Sequence, residues 1–112
     1  YMGMDLEPIA PTAEAPRYSA EDNYFPDEVI WGRYNGTGWS LLIDLLNRFG
    51  VNTEQFAGCN DGDVITKEKC EEVANVLEAN LSGMTSEDKW WLEPHIKLWR
   101  TCGGYRQLAT TW

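Results

Sequence analysis

The chain has few of the residues that form common catalytic and metal sites. Its 112 residues include one histidine, His95, and three cysteines, Cys59, Cys70 and Cys102. These four residues lack the spacing of a zinc site or of a disulfide framework. We therefore expect free, buried thiols in a reducing compartment, with a Cys59–Cys102 or Cys70–Cys102 bridge as the alternative.

The sequence also lacks the patterns that surround catalytic nucleophiles and bound nucleotides. No serine stands in a nucleophile-elbow pattern that His95 could serve. The stretch Gly36-Thr37-Gly38 lacks the third glycine of a dinucleotide-binding turn. His95 is therefore interpreted as a surface or packing residue. The sequence predicts a protein that is not an enzyme, with no catalytic residue and no cofactor.

Long apolar runs are absent as well. No stretch of about 18 apolar residues occurs, so no membrane span is predicted. The first residues are acidic and proline-rich, without the basic start and apolar stretch of a signal peptide. These features predict a cytoplasmic protein with no membrane partner.

Basic residues are scarce, and the acidic residues are unevenly placed. The formal net charge is −9, of which −6 falls in residues 1–30, where Arg17 is the one base. Nucleic-acid binding needs a cationic surface that releases counterions, so direct nucleic-acid binding is not expected. The acidic segment is expected to be a solvated tail, or else to meet a basic partner or the chain's own basic C-terminal end.

The proline distribution divides the chain in two. Proline fixes φ and removes an amide donor, which disfavours helices and interior strands. The sequence therefore predicts an acidic, Pro-rich arm over residues 1–28, extended or partly disordered, and a single globular helical domain over residues 29–112. Four of the five prolines lie in the arm: Pro8, Pro11, Pro16 and Pro26.

The most apolar stretch of the chain predicts its central helix. Trp39, Leu42, Ile43, Leu46 and Phe49 recur at helical spacing, with Leu41 and Leu45 beside them. A helix that is apolar over so much of its surface needs other elements around it. We expect this helix to begin near Thr37 and to end at Gly50.

Two further helices and two short strands complete the predicted fold. Thr66 is expected to cap a helix over residues 67–81, and Thr85 or Ser86 a third helix, kinked or broken at Pro94. Strands near residues 29–34 and 105–111 are expected to form a short two-stranded sheet. The predicted fold class is mainly α (α+β), with a central helix packed by two others.

One loop invites comparison with a calcium-binding EF-hand. In Asn60-Asp61-Gly62-Asp63, aligned on the glycine, Asp61 takes position 5 and Glu68 the bidentate position 12. Positions 1 and 3 are Ala57 and Cys59, which lack the required oxygens. A polar turn that leads into a capped helix is the favoured interpretation; a metal or ligand site of Asp61, Asp63 and Glu68 is the alternative.

Aromatic residues are the more unusual feature, because six of the 112 residues are tryptophan. So small a domain cannot bury them all, and exposed Trp and Tyr beside Arg are typical of protein-binding hot spots. We expect a partner-binding surface drawn from these residues and from the acidic segment. The candidates are Trp31, Arg33, Tyr34, Trp90, Arg100, Arg106, Asp22, Asp27 and Glu28.

Three turn and cap motifs support a resemblance to other proteins. They are Asn35-Gly36-x-Gly38-Trp39, Asn60-Asp61-Gly62 followed by Ile65-Thr66-x-Glu68, and Arg100-x-Cys102-Gly103-Gly104-Tyr105. With these motifs, residues 31–106 resemble a set of small bacterial and phage-type proteins that are themselves uncharacterised. The resemblance implies no activity.

Three functions follow as hypotheses. The first is a small acidic protein-binding module, an inhibitor or accessory protein of phage or mobile-element origin. It would occupy a partner, which could itself bind nucleic acid, and would do so as a monomer or homodimer. The second is a metal- or small-ligand-binding domain that uses the loop of Asn60–Asp63 with Glu68. The third is a structural homo-oligomer joined through exposed tryptophans.

Overall fold

A four-stranded antiparallel sheet forms one layer of the protein. The computed structural model describes residues 2–17, 29–57 and 62–111, with the backbone alone for residues 2 and 109–111. The strands are β1 (Met2–Pro8), β2 (Gly32–Tyr34), β3 (Val64–Ile65) and β4 (Tyr105–Thr111), in the spatial order β2-β1-β4-β3. The predicted two-stranded sheet is therefore wrong.

The first strand separates the two strands that the sequence predicted to be neighbours. Met4 pairs with Tyr34 of β2 on one side and with Ala109 of β4 on the other. The reason lies in the alternation of residues 2–8, where Met4 and Leu6 are buried in the core and Asp5 and Glu7 point to the opposite face. Pro8 stands at the end of β1, where a missing amide donor is tolerated.

Three helices lie against one face of this sheet. They are α1 (Gly36–Arg48), α2 (Lys67–Asn80) and α3 (Ser86–Thr101), with a short 3-10 turn at Leu81–Gly83. Each begins at a side chain that accepts a backbone N–H: Asn35 for α1, Thr66 for α2 and Thr85 for α3. Among the described residues, no helix has the length and apolar character that crossing a membrane requires.

The first helix is not the centre of the molecule, which corrects the predicted architecture. Trp39, Leu42 and Leu46 are buried, but Leu41 on the adjacent stripe is 48% exposed. The sheet provides the apolar surface against which α1 packs, a role that the prediction gave to two flanking helices. Only one face of α1 therefore has to be buried. The core joins helix residues to the sheet residues Met4, Leu6, Tyr34, Ile65 and Tyr105.

The third helix runs without a break through Pro94, where the sequence predicted a kink or a break. Proline lacks the N–H that would bond to the carbonyl of Trp90 one turn earlier. Both residues are exposed, so water can hydrate that carbonyl and the helix continues. This arrangement leaves the carbonyl of Trp90 without a hydrogen bond from residue 94, next to an exposed indole ring.

The segment after β1 holds the end of α3. The amides of Ala10 and Thr12 donate to the carbonyls of Cys102 and Thr101 at 3.1 and 2.9 Å. These bonds satisfy carbonyls that a helix C-terminus leaves unpaired. Gly103, with φ of +67°, makes this close approach possible because it has no side chain.

The division of the chain at residue 28 stays a prediction. Residues 18–28 lie outside the described part. The described residues on either side of them meet, since Arg17 forms a β-bridge with Val29 and the amide of Ile30 donates to the carbonyl of Pro16. Residues 2–8, which the sequence assigned to the arm, form an interior strand of the sheet.

Candidate functional site

The most exposed large apolar side chain of the described residues lies on α3. Trp90 is 80% exposed, and it stands at a groove of about 610 Å³ beside the helix. Burying an indole removes a large apolar area from water, so leaving it exposed forgoes a substantial free-energy gain. We call this feature the Trp90 groove; its lining residues are Pro16, Ile30, Trp90, Glu93, Pro94, Lys97 and Leu98.

The Trp90 groove is lined mainly by apolar residues, with two charged residues among them. Ile30, Pro94 and Leu98 provide the apolar walls, while Glu93 and Lys97 add one carboxylate and one ammonium. The Trp90 carbonyl, which cannot receive a helical bond from Pro94, is a further acceptor in the same turn. An apolar wall with polar groups at its edge is the usual anatomy of a protein-binding surface.

A second groove lies on another stripe of α3, against the start of α1. It has a volume of about 330 Å³, and the end of β2, the first turn of α1 and α3 all contribute to it. We call it the His95 groove. The polar and aromatic residues that define it are Arg33, Asn35, Thr37, Glu87, Trp91 and His95.

The imidazole of His95 forms part of the wall of this groove. Its ring stacks on Tyr34 with centroids 4.3 Å apart and planes at 25°, and Trp91 meets it edge-on at 6.5 Å. The indole N–H of Trp91 donates to Asp88 at 3.2 Å, which fixes that ring. Nδ1 of His95 is buried and has no hydrogen-bond partner among the described residues. Burial lowers the pKa of His95 to about 4, so the ring is neutral at pH 7.

This lowered pKa predicts how stability depends on pH. Between the ordinary value near 6.5 and the folded value near 4, the unfolded chain binds a proton that the folded chain does not. The contribution of His95 to stability is therefore greatest above pH 6.5 and falls as the pH is lowered, by at most about 1.4 kcal/mol per pH unit.

Urea unfolding of the wild type and of His95→Phe at pH 7, 6 and 5 measures this contribution. Phenylalanine keeps a flat ring against Tyr34 but cannot bind a proton, and the carboxylates are common to both proteins. We expect the wild type to lose more stability than the variant as the pH falls. Parallel profiles would contradict the neutral, desolvated imidazole.

The predicted partner-binding residues do not form one surface. Arg33 and Arg106 are paired across neighbouring strands with Asp5 at 3.2 Å and with Glu7 at 3.7 Å, and Arg33 also lines the His95 groove. Arg100 bridges α3 to α2, where it donates to Asn75 at 2.8 Å and to Glu78. Among the described residues that line the Trp90 groove there is no arginine.

The predicted aromatic members divide between core and surface. Tyr34 is 3% exposed, and its hydroxyl accepts the indole N–H of Trp99 at 3.1 Å. It is therefore a core residue whose ring meets the His95 groove at its edge. Trp31 is half-buried. Asp22, Asp27 and Glu28 lie outside the described residues, so their assignment as partner-binding residues stays a prediction.

The loop compared with an EF-hand is described only in part. Asp63 and Glu68 are exposed, whereas Asn60 and Asp61 fall in a gap of the described chain. Over residues 2–17, 29–57 and 62–111, no group of three or more His, Cys, Asp or Glu side chains is placed to hold a metal ion. The hydroxyl of Thr66 caps α2 by accepting the amide of Lys69 at 3.2 Å, as the favoured interpretation expected.

Two of the cysteines are buried neighbours with free thiols. Cys70 and Cys102 lie in the core, and the thiol of Cys102 contacts the carbonyl of Trp99 at 3.4 Å. The hydrogen bond with Cys102, and then burial, raise the pKa of Cys70. Cys70 therefore stays protonated at neutral pH and acts as a small core residue. Cys59 lies outside the described residues.

Comparison of the chain with models of protein families, with curated proteins and with solved structures finds no match. The geometry of the two grooves beside α3 is therefore what bears on function.

Proposed function

We propose that this protein is a non-enzymatic protein-binding module that docks a partner in the Trp90 groove. The observation that carries the proposal is the exposure of Trp90, 80% open to water in a domain that buries Trp99 completely. A tryptophan in an apolar groove can contribute a large share of the binding free energy of an interface. In this role the protein is an inhibitor or accessory protein; the sequence resemblance bears on its phage or mobile-element origin and not on its activity.

Charge defines the partner. The chain carries a formal charge of −9, which attracts a basic surface and repels an acidic one. At the groove itself Glu93 and Lys97 contribute one charge of each sign, and the Trp90 carbonyl adds an acceptor. The preference for a basic partner therefore comes from the charge of the whole chain. We infer that the partner presents an apolar side chain to the groove, flanked by lysine or arginine. A nucleic-acid-binding protein, whose own surface is basic, is a partner of this kind.

Nuclear magnetic resonance can test the proposal even though the partner is unidentified. The six indole N–H signals are assigned by single Trp→Phe substitutions, and the labelled chain is titrated with three synthetic peptides of equal length. One peptide alternates lysine with leucine, the second lysine with serine, and the third glutamate with leucine. We expect a saturable shift of the Trp90 signal with the lysine–leucine peptide and affinities at least about tenfold lower for the other two.

Substitution at the groove provides the matched comparison. Trp90→Ala is expected to weaken binding of the lysine–leucine peptide by at least about tenfold, because the apolar anchor is lost. Val64→Ala removes a side chain that is 49% exposed on the other face of the sheet and should leave the affinity unchanged. Equal binding of the acidic and basic peptides, or a shift of Trp90 that depends only on protein concentration, would contradict a basic partner. The second of these results would indicate self-association instead.

A further inference from the structure

The His95 groove has the features of a small-molecule site, and it is independent of the proposed docking function. Its volume of about 330 Å³ lies near the lower end of ligand pockets, which span about 300–1,000 Å³. That size suits a single fused ring system better than a peptide. Three rigid elements, β2, α1 and α3, supply the lining, so the site is formed before a ligand enters.

The two nitrogens of His95 differ in what they can do. Nδ1 is sealed from solvent. Within the described chain the ring makes aromatic contacts but no hydrogen bond, so Nε2 is the nitrogen left for a ligand in the groove. Because the ring is neutral, Nε2 donates in one tautomer and accepts in the other.

The other lining groups complement this nitrogen. Asn35 uses its side-chain oxygen to cap α1 at 2.6 Å, which leaves its amide nitrogen as a donor. Glu87 offers a carboxylate acceptor on the facing helix. Trp91, held by its bond to Asp88, provides a fixed aromatic surface. Donors, acceptors and a flat wall together match the edge and face of an aromatic heterocycle.

Charge decides between neutral and anionic forms of such a ligand. Glu87 lies in the groove, Arg33 is already paired with Asp5, and the chain as a whole carries −9. This negative charge would repel a phosphate or carboxylate and weaken its binding. We propose that the His95 groove binds an uncharged planar nitrogen heterocycle, a purine base or its nucleoside, against Trp91 and hydrogen-bonded to Nε2 of His95.

The adjacent tryptophans Trp90 and Trp91 allow a test with an internal control, because they line different grooves. The labelled chain is titrated with adenine, adenosine, adenosine monophosphate and benzoate at pH 7. We expect adenine and adenosine to shift the Trp91 indole signal saturably, with Kd below about 1 mM, while Trp90 stays unchanged. The monophosphate and benzoate should bind more weakly than adenine.

His95→Phe separates the hydrogen bond from the stacking. This variant should bind adenine about tenfold more weakly, since it keeps a flat ring but loses the nitrogen. If it does not fold, the same comparison is made between adenine and indole on the wild type, where indole should bind at least about tenfold more weakly. The absence of a saturable Trp91 shift with adenine, equal shifts of Trp90 and Trp91, or undiminished affinity for the monophosphate would overturn the proposal. None of these results bears on peptide binding in the Trp90 groove.

Discussion

Gly103→Ala is expected to destabilise the protein by about 4 kcal/mol or more, enough to unfold a marginally stable domain. A Cβ at this position would lie 2.0 Å from the carbonyl oxygen of Ala10, far inside van der Waals contact. The φ of +67° adds a conformational cost for any residue other than glycine. The clash is with backbone that caps α3 through the amides of Ala10 and Thr12, so relief would break those bonds.

Substitutions at two other glycines distinguish the effect of the steric clash at Gly103 from the effect of its positive φ. Gly50 has φ of +87° but open space around it, so Gly50→Ala should cost about 1 kcal/mol through strain alone. Gly83 has neither a close neighbour nor positive φ, and Gly83→Ala should change stability by about 0.5 kcal/mol at most. Urea unfolding of the three variants measures the loss of stability in each, which should be largest for Gly103→Ala and smallest for Gly83→Ala. A Gly103→Ala protein as stable as Gly50→Ala would contradict the contact between residues 10 and 103.

Trp99→Ala should destabilise the protein strongly and Trp90→Ala hardly at all, although both residues are tryptophans of α3. Trp99 is fully buried, contacts Tyr105 edge-on at 4.8 Å and donates to the hydroxyl of Tyr34. Its truncation leaves a large cavity and an unpaired buried hydroxyl, and we expect a loss of about 3–5 kcal/mol. Trp90→Ala removes an exposed ring and should change stability by about 0.5 kcal/mol or less.

Unfolding midpoints in urea, with the slope checked for two-state behaviour, provide the measurement. Trp99→Phe serves as the intermediate variant because it keeps an aromatic ring but loses the indole donor. Similar losses for Trp90→Ala and Trp99→Ala would contradict the orientation of α3. A small effect of Trp90→Ala on stability also makes its effect on binding interpretable.

Local patterns predicted the helices well. Thr66 caps α2 as the sequence indicated, and Thr85 is the one of its two candidates that caps α3. The cap of α1 is Asn35 rather than Thr37, but α1 ends before Gly50, whose positive φ is the backbone conformation expected after a helix. These features depend on residues within four positions of one another. The sequence can therefore specify them whatever the tertiary fold.

The sheet depends on contacts that local patterns do not reveal. Met4 and Leu6 alternate with Asp5 and Glu7, as in a half-buried strand. The prolines that follow instead favoured an extended or partly disordered arm as the interpretation of this segment. The pairing of Met4 with Ala109 joins residues from the two ends of the chain. Because local patterns did not reveal this pairing, the sequence predicted that other helices cover the apolar surface of α1. The sheet covers it instead, so the predicted architecture was wrong.

The candidate sites show the same limit. The sequence named Trp90 among its candidates, but it also named Tyr34, which the structure places in the core. The stack of His95 on Tyr34 joins two residues 61 positions apart in the sequence, so no spacing could have indicated it. Net charge, in contrast, can be read from the composition alone. The preference for a basic partner is drawn from that charge and stays a prediction.

Docking of a partner in the Trp90 groove is tested most directly by the heat capacity of binding. Calorimetric titration of the full chain with the lysine–leucine peptide is repeated between 10 and 35 °C, roughly the range in which a small domain stays folded. Burial of the exposed indole should give a negative heat-capacity change that Trp90→Ala largely removes and Val64→Ala retains. A heat-capacity change near zero, or one that is equally large in Trp90→Ala, would contradict the claim that this groove binds the partner.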